Sequence, residues 1–258
     1  MRAVILAAGY ATRMYPLTKT RPKSLLPVGK RVVLDWMMAS LHGLPELTEI
    51  ALVTNAKFAA QFDAWIRLRA FRVPVRLIND GSASDEQRLG AIRDLTLAIG
   101  QAPAQEPLLV TAGDHIVDWD LQSLCAFGQA HAPHATVAAY RLPDLTEASR
   151  FGIVEMDGAQ RLIHCEEKPR RPRSGMAMIC LYYLPTAVFP RLRQYLALGR
   201  NTDAPGNFIA WLSQQEPVYG WPTQGAYFDI GTLESYDATC AALTERAAAS
   251  KTHRGGAA

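Results

Sequence analysis

Short apolar runs alternating with longer amphipathic stretches limit what this chain can fold into more than any other feature. Residues 4–6, 50–54, 75–78 and 108–111 are brief, rich in branched side chains and soon followed by Gly, Asn or Asp. They read as buried strands. Between them, residues 33–44, 58–70 and 89–99 carry apolar positions at helical spacing. A helix between consecutive strands makes those strands parallel, with helices on both faces. The expected fold is α/β, a single Rossmann-like three-layer domain, and ligands in such sheets bind at the carboxyl ends of strands.

After residue 134 the pattern changes. Residues 135–140, 153–156, 162–165 and 176–183 are strand-like with fewer helices between them, and helices return over 186–198, 207–214 and 233–248. The sheet should therefore be mixed but mostly parallel. Asn207, in a polar turn, is a candidate helix cap. The net charge of +3 comes from cations spread through the chain, which argues against nucleic acid as a partner. Cys125, Cys165, Cys180 and Cys240 have no C-x-x-C spacing, so neither a zinc knuckle nor a disulfide framework is expected. The opening strand is too short for a membrane span, and with free thiols this favours the cytoplasm.

The first strand runs into Leu6-Ala7-Ala8-Gly9-Tyr10-Ala11-Thr12-Arg13. Small residues after a strand let backbone N–H groups approach a phosphate, and Arg13 adds a planar fork of donors. Leu6, Ala8, Gly9, Tyr10, Ala11, Thr12 and Arg13 are thus candidate nucleotide contacts. Ten residues on, Lys23 supplies a second cation, and two cations on one triphosphate would stabilise a departing pyrophosphate. Neither G-x-G-x-x-G nor G-x-x-x-x-G-K-[ST] is present. An ordinary strand-to-helix turn with surface cations is the competing reading. Asp114 follows a strand, and Asp229 lies in a short apolar run ended by glycine. Such a pair suits Mg²⁺, which keeps several waters and seldom has an all-protein cage, whereas Asp114 alone could equally cap a turn. In the loop 79–90, Gln87 could bond a base edge and Gly90 would let the base lie close to backbone. His115 reads as structural, and His131 and His134 as part of a solvated loop.

The block LAAGYATRMYPLTKTRPKSLLPV resembles the signature of the sugar-1-phosphate nucleotidyltransferases, whose usual form is L-x-x-G-x-G-[ST]-R-x-x-P-x-T with P-K shortly after. Ala11 stands where that family has its second glycine. The resemblance continues through Gly113-Asp114, Phe151-Gly152, Glu167-Lys168-Pro169 and Tyr227-Phe228-Asp229. It implies that Asp114 and Asp229 hold Mg²⁺, that Glu167 holds sugar hydroxyls and that Lys168 holds the acceptor phosphate. Gly152 would leave room for the acceptor ring, and Tyr182 would close the pocket wall. It also implies a nucleotidyltransferase domain over 1–246, with a nucleotide-binding half (1–134), an acceptor-binding half (135–246) and a flexible tail (247–258). The expected partners are a nucleoside triphosphate and a sugar 1-phosphate. The acceptor phosphate is nucleophilic enough to attack without a general base, leaving Arg13, Lys23 and Lys168 as catalytic cations. A cytidylyltransferase using a non-sugar phosphate, and a non-catalytic nucleotide sensor, are the alternatives.

Overall fold

A computed structural model describes residues 1–101 and 106–254, with side chains through Arg246. The first half contains β1 (Arg2–Leu6), a small hairpin of β2 (Pro27–Val28) and β3 (Arg31–Val32), α1 (Val33–His42), β4 (Glu49–Thr54), α2 (Ala59–Arg67), β5 (Val75–Asn79), α3 (Ala91–Gly100) and β6 (Leu108–Ala112). Then come β7 (His115–Val117), α4 (Leu121–Ala130), β8 (Ala135–Arg141), β9 (Gly152–Met156), β10 (Leu162–Glu167) and β11 (Met176–Leu184). The chain finishes with α5 (Phe189–Ala197), α6 (Pro205–Leu212), β12 (Val218–Pro222), β13 (Tyr227–Asp229) and α7 (Leu233–Arg254). The helix α7 runs past residue 246; the last four residues of the expected tail lie outside the described residues.

Nine strands form the main sheet in the order β10-β9-β11-β6-β1-β4-β5, with β8 on the other edge of β11 and β12 beyond it. β1 pairs in parallel with β4 on one side and β6 on the other. β11 then runs antiparallel to β6, making the sheet mixed. Period-2 alternation divides the core between the two faces. Ala3, Ile5, Ile50, Leu52 and Leu109 pack with α1, α2 and α4, while Val4, Ala51, Val53 and Val110 pack with α3, α5 and α6. These are the three expected layers. A third, smaller cluster joins Met14, Leu26, Val28, Ile116 and Ile230, with Tyr236 and Leu243 of α7 against it. It clamps the segment after β1 against the β7–β13 pair, so the neighbourhoods of Asp114 and Asp229 are held together.

β11 also pairs with β9, through Ala177 and Met178, and with β6 from Leu181 onward. Neither register includes Ile179 or Cys180, so β9 and β6 diverge there and leave an opening in the sheet. Two expectations need correction. Asn207 is not a helix cap: α6 begins at Pro205 after Ala204, and Asn207 N donates to Ala204 O inside the first turn. Proline at the first helical position, already lacking its donor, fixes the start. His131 is also more than a solvated loop residue, since its ring packs 4.1 Å from Phe127 and 4.2 Å from Tyr219.

Gly128 in α4 lies flush against Tyr183 of β11; an added Cβ would overlap the ring and sit 2.8 Å from the tyrosine Cβ. Gly→Ala inside a helix ordinarily gains about 1 kcal/mol. Here overpacking costing about 1–3 kcal/mol should outweigh that gain, so Gly128→Ala should lower the urea midpoint. An unchanged or raised midpoint would contradict this packing.

Candidate functional site

The order of strands reverses at β1: successive strands β4 and β5 lie to one side and β6 to the other. A cleft of about 620 Å³ opens at those strand ends. The loop after β1 is tied down by backbone. Ala7 N donates to Val53 O at 2.8 Å and Asn55 Nδ2 to Ala8 O at 2.8 Å. Leu6, Ala8, Gly9, Ala11 and Arg13 all line the cleft. Ala11 adopts the left-handed conformation (φ 50°, ψ 42°), the conformation for which glycine is normally selected. An alanine there costs about 1 kcal/mol or more. Its carbonyl accepts from Thr18 Oγ1 at 2.7 Å and Met14 N at 2.9 Å, two bonds that hold the strained residue in place. Tyr10 and Thr12 do not line the cleft. The Tyr10 ring is buried with its hydroxyl donating to Ser82 O at 2.9 Å, and Thr12 is exposed on the turn that carries Arg13.

Lys23 sits on a single 3-10 turn after Pro22, and its Nζ lies 2.6 Å from Asp114 Oδ2. Burial opposes charge on Asp114, yet Lys23 outweighs it and holds the carboxyl below its ordinary range. Asp229 ends β13, and its Oδ2 takes a bond from Arg150 at 3.1 Å. Burial, and then the charge of Asp114, push the Asp229 pKa up. Two carboxylates that repel across one cleft would gain from a divalent cation between them. Among the described residues no cluster of three or more His, Cys, Asp or Glu side chains is arranged for a metal. Two carboxylates completed by water and phosphate oxygens would fit Mg²⁺. His115 also lines the cleft but is buried; burial lowers its pKa to about 4, and its Nε2 lies 3.3 Å from Thr111 Oγ1.

Gly152, Glu167, Lys168 and Tyr182 line the same cleft. Lys168 also has positive φ (48°), and its Nζ lies 3.7 Å from Glu167 Oε1. Burial raises the Glu167 pKa, with Lys168 partly countering it. The Glu167 carboxylate is wedged between two glycines. A Cβ on Gly152 would lie 2.8 Å from its Oε2, and one on Gly206 would overlap it. Gly90 is equally confined: its φ is +89° and a Cβ would fall 2.6 Å from Thr202 O.

Gln87 accepts from Ala83 N through its Oε1 at 3.2 Å and, like Tyr10 and Thr12, does not line the cleft. Asp80 and Asp94 do instead, and Arg88 pairs with Asp85 and Asp203. Among the lining residues that the sequence did not single out by themselves are Asp80, Asp94, Arg150 and Gly206. A signal existed for Asp94, which falls within the apolar stripe Ile92, Asp94, Leu95, Ala98 of α3.

The chain belongs to the nucleotidyl transferase family, whose profile matches residues 2–246. A structure described as a glucose-1-phosphate thymidylyltransferase from Bacillus anthracis, in complex with sucrose, superposes with a TM-score of 0.80 at 23% identity, covering 93% of this chain and 94% of that one. A UDP-glucose pyrophosphorylase complexed with UDP-glucose superposes at 0.78 with 19% identity, covering 95% and 98%. The apo form of a UDP-glucose pyrophosphorylase does so at 0.78 with 18% identity, with the same coverage. These likenesses establish the nucleotide-diphospho-sugar transferase fold. Among the described residues no helix is long and apolar enough to cross a membrane.

The buried acid Asp94 makes stability depend on pH. Its pKa, ordinarily 3.8, is pushed up to about 7 by burial and by Asp80. Between those values the folded state holds the proton that the unfolded state releases, so stability falls as pH rises from about 4 to 7. The loss should be about 2–4 kcal/mol at pH 8 relative to pH 4. Thermal melts across that range should show the decline, and Asp94→Asn should flatten it. A wild-type profile parallel to that of the variant would refute the assignment.

Proposed function

We propose that this chain transfers a nucleoside monophosphate from a nucleoside triphosphate to a sugar 1-phosphate, releasing pyrophosphate and forming a nucleoside diphosphate sugar. The observation that carries this reading is the gathering of Arg13, Lys23 and Lys168 around Asp114 and Asp229 in one cleft. Three cations are arranged for two anionic substrates, and two acids for the Mg²⁺ that accompanies a triphosphate. Asp114 and Asp229 would hold Mg²⁺, which supplies charge neutralisation of the triphosphate when bound.

The remaining work falls to the protein. Backbone N–H groups between Leu6 and Thr12 cradle phosphate, and Arg13 grips the outer oxygens. Lys23, now held by Asp114, turns to the charge developing on the leaving pyrophosphate. Lys168 binds the acceptor phosphate and reduces its repulsion from the α-phosphate it attacks. Glu167 accepts from sugar hydroxyls beside Gly152 and the Tyr182 wall. The acceptor phosphate is already ionised at neutral pH, so attack needs no protein base. Placement of the Glu167–Lys168 pair in this cleft favours a sugar phosphate over a non-sugar acceptor.

Pyrophosphate release should appear with at least one triphosphate and sugar 1-phosphate in the presence of Mg²⁺; silence across a broad panel would sink the reading. Lys23→Ala should fold normally and lose about 10²–10³ in kcat. A nucleotide sensor would show no such turnover to lose. Gly206→Ala should displace the Glu167 carboxylate and raise KM for the sugar phosphate about tenfold, leaving KM for the triphosphate near wild type. Equal rises in both would place Glu167 outside the acceptor subsite.

A further inference from the structure

Two acids in the cleft take no part in the chemistry above. Asp80 follows β5, at the opposite edge of the sheet from the β9–β10 acceptor strands, and Asp94 lies in the first turn of α3. Asp80 Oδ1 is occupied, accepting from Ser82 N and Ser82 Oγ, each at 2.7 Å. Asp80 Oδ2 and Asp94 Oδ1 are buried without a hydrogen-bond partner. Asp94 is only 4% exposed, yet it lines the cleft. Arg88, the cation in the same wall, is engaged by Asp85 and Asp203. Tyr10 directs its hydroxyl to Ser82. Among the described residues neither Asp80 nor Asp94 takes part in an ion pair.

We propose that Asp80 and Asp94 select the base of the nucleoside triphosphate, favouring an edge with an exocyclic amino group: adenine, guanine or cytosine over uracil or thymine. This rests on the nucleotidyl-transfer reading and names the substrate class for it. With Arg88 engaged by Asp85 and Asp203, the unpartnered buried side-chain polar atoms of this wall are carboxyl oxygens, which ask the ligand for N–H groups. An amino-bearing edge brings them. Uracil and thymine offer one N–H flanked by two carbonyl oxygens, which would face carboxylate lone pairs. Such an arrangement rejects the wrong base more sharply than shape alone can. In the free protein a proton takes that place. Burial first, and then Asp80, raise the Asp94 pKa to about 7, and Asp80 is within hydrogen-bonding reach. An arriving amino group replaces that proton.

The test is a pyrophosphate-release panel of ATP, GTP, CTP, UTP and dTTP with mixed sugar 1-phosphates and Mg²⁺. It uses the wild-type chain, Asp94→Asn and Asp80→Asn, with folding of each checked by circular dichroism. At least one amino-bearing triphosphate should exceed both UTP and dTTP about tenfold or more in kcat/KM. Asp94→Asn should erode that ratio about tenfold, because a carboxamide can donate to a carbonyl. If Asp94→Asn does not fold, the same erosion is read from Asp80→Asn. UTP or dTTP matching or beating the others, or a ratio unmoved by the substitution, overturns the proposal. Should no triphosphate turn over at all, the transfer reading fails and nucleotide-induced melting shifts decide the base. Larger shifts with amino-bearing triphosphates, lost in the Asn variant, support selection; equal shifts overturn it.

Discussion

Two-sided pairing of β1 governs everything else in this molecule. β4 and β6 take opposite edges of the same strand, and the segment after β1 is clamped against β7, which follows β6. The cleft opens beside that clamp at the strand ends, and polar chain ends collect around it. β11 then extends the sheet by pairing first with β9 and, further along, with β6. Every side chain with a proposed chemical role sits within a residue or two of where a strand or helical turn begins or ends, except Tyr182 within β11 and Asp94 in the first turn of α3. Rigid elements therefore aim groups that loops alone could not hold.

Several of the charges lining the cleft are paired with one another. Lys23 lies on Asp114, Arg150 on Asp229, Lys168 near Glu167 and Arg88 on Asp203. These pairs are partly exposed, so each adds little to stability. Their meaning lies in exchange. On the proposed reading, arriving phosphates would take over the cations, and the released carboxylates would become available to a divalent cation. Charge would then be redistributed rather than buried unpaired, limiting the desolvation cost of binding.

Much of this was legible in the sequence where the signal is local. The strands β1, β4, β5 and β6 show as branched runs, and Arg13, Lys23, Asp114 and Lys168 follow turns that leave them little choice of position. What stayed hidden depends on direction in irregular backbone. Gln87 and Asp80 lie in the same loop, and only the fold shows that Gln87 bends back to Ala83 while Asp80 faces the cleft. Asn207 had the chemistry of a cap, but Pro205 two residues earlier fixes the helix start. Gly206 is unremarkable in sequence because its constraint is Glu167, thirty-nine residues away. Ala11 shows the reverse case, a departure from the family pattern that the backbone tolerates through two hydrogen bonds to its carbonyl.

The antiparallel pairing of β11 with β6 also has a consequence for the order in which the chain is made. Synthesis proceeds from the amino terminus, so β1, β4, β5 and β6 can assemble before residues 181–184 exist. During that interval β6 is an outer strand whose backbone donors and acceptors await Leu181–Leu184. An open, apolar strand edge of this kind is a template for the wrong neighbour, including another nascent chain. The second half of the sequence is thus the cover that the first half requires, and separating them between residues 134 and 135 would leave that edge bare.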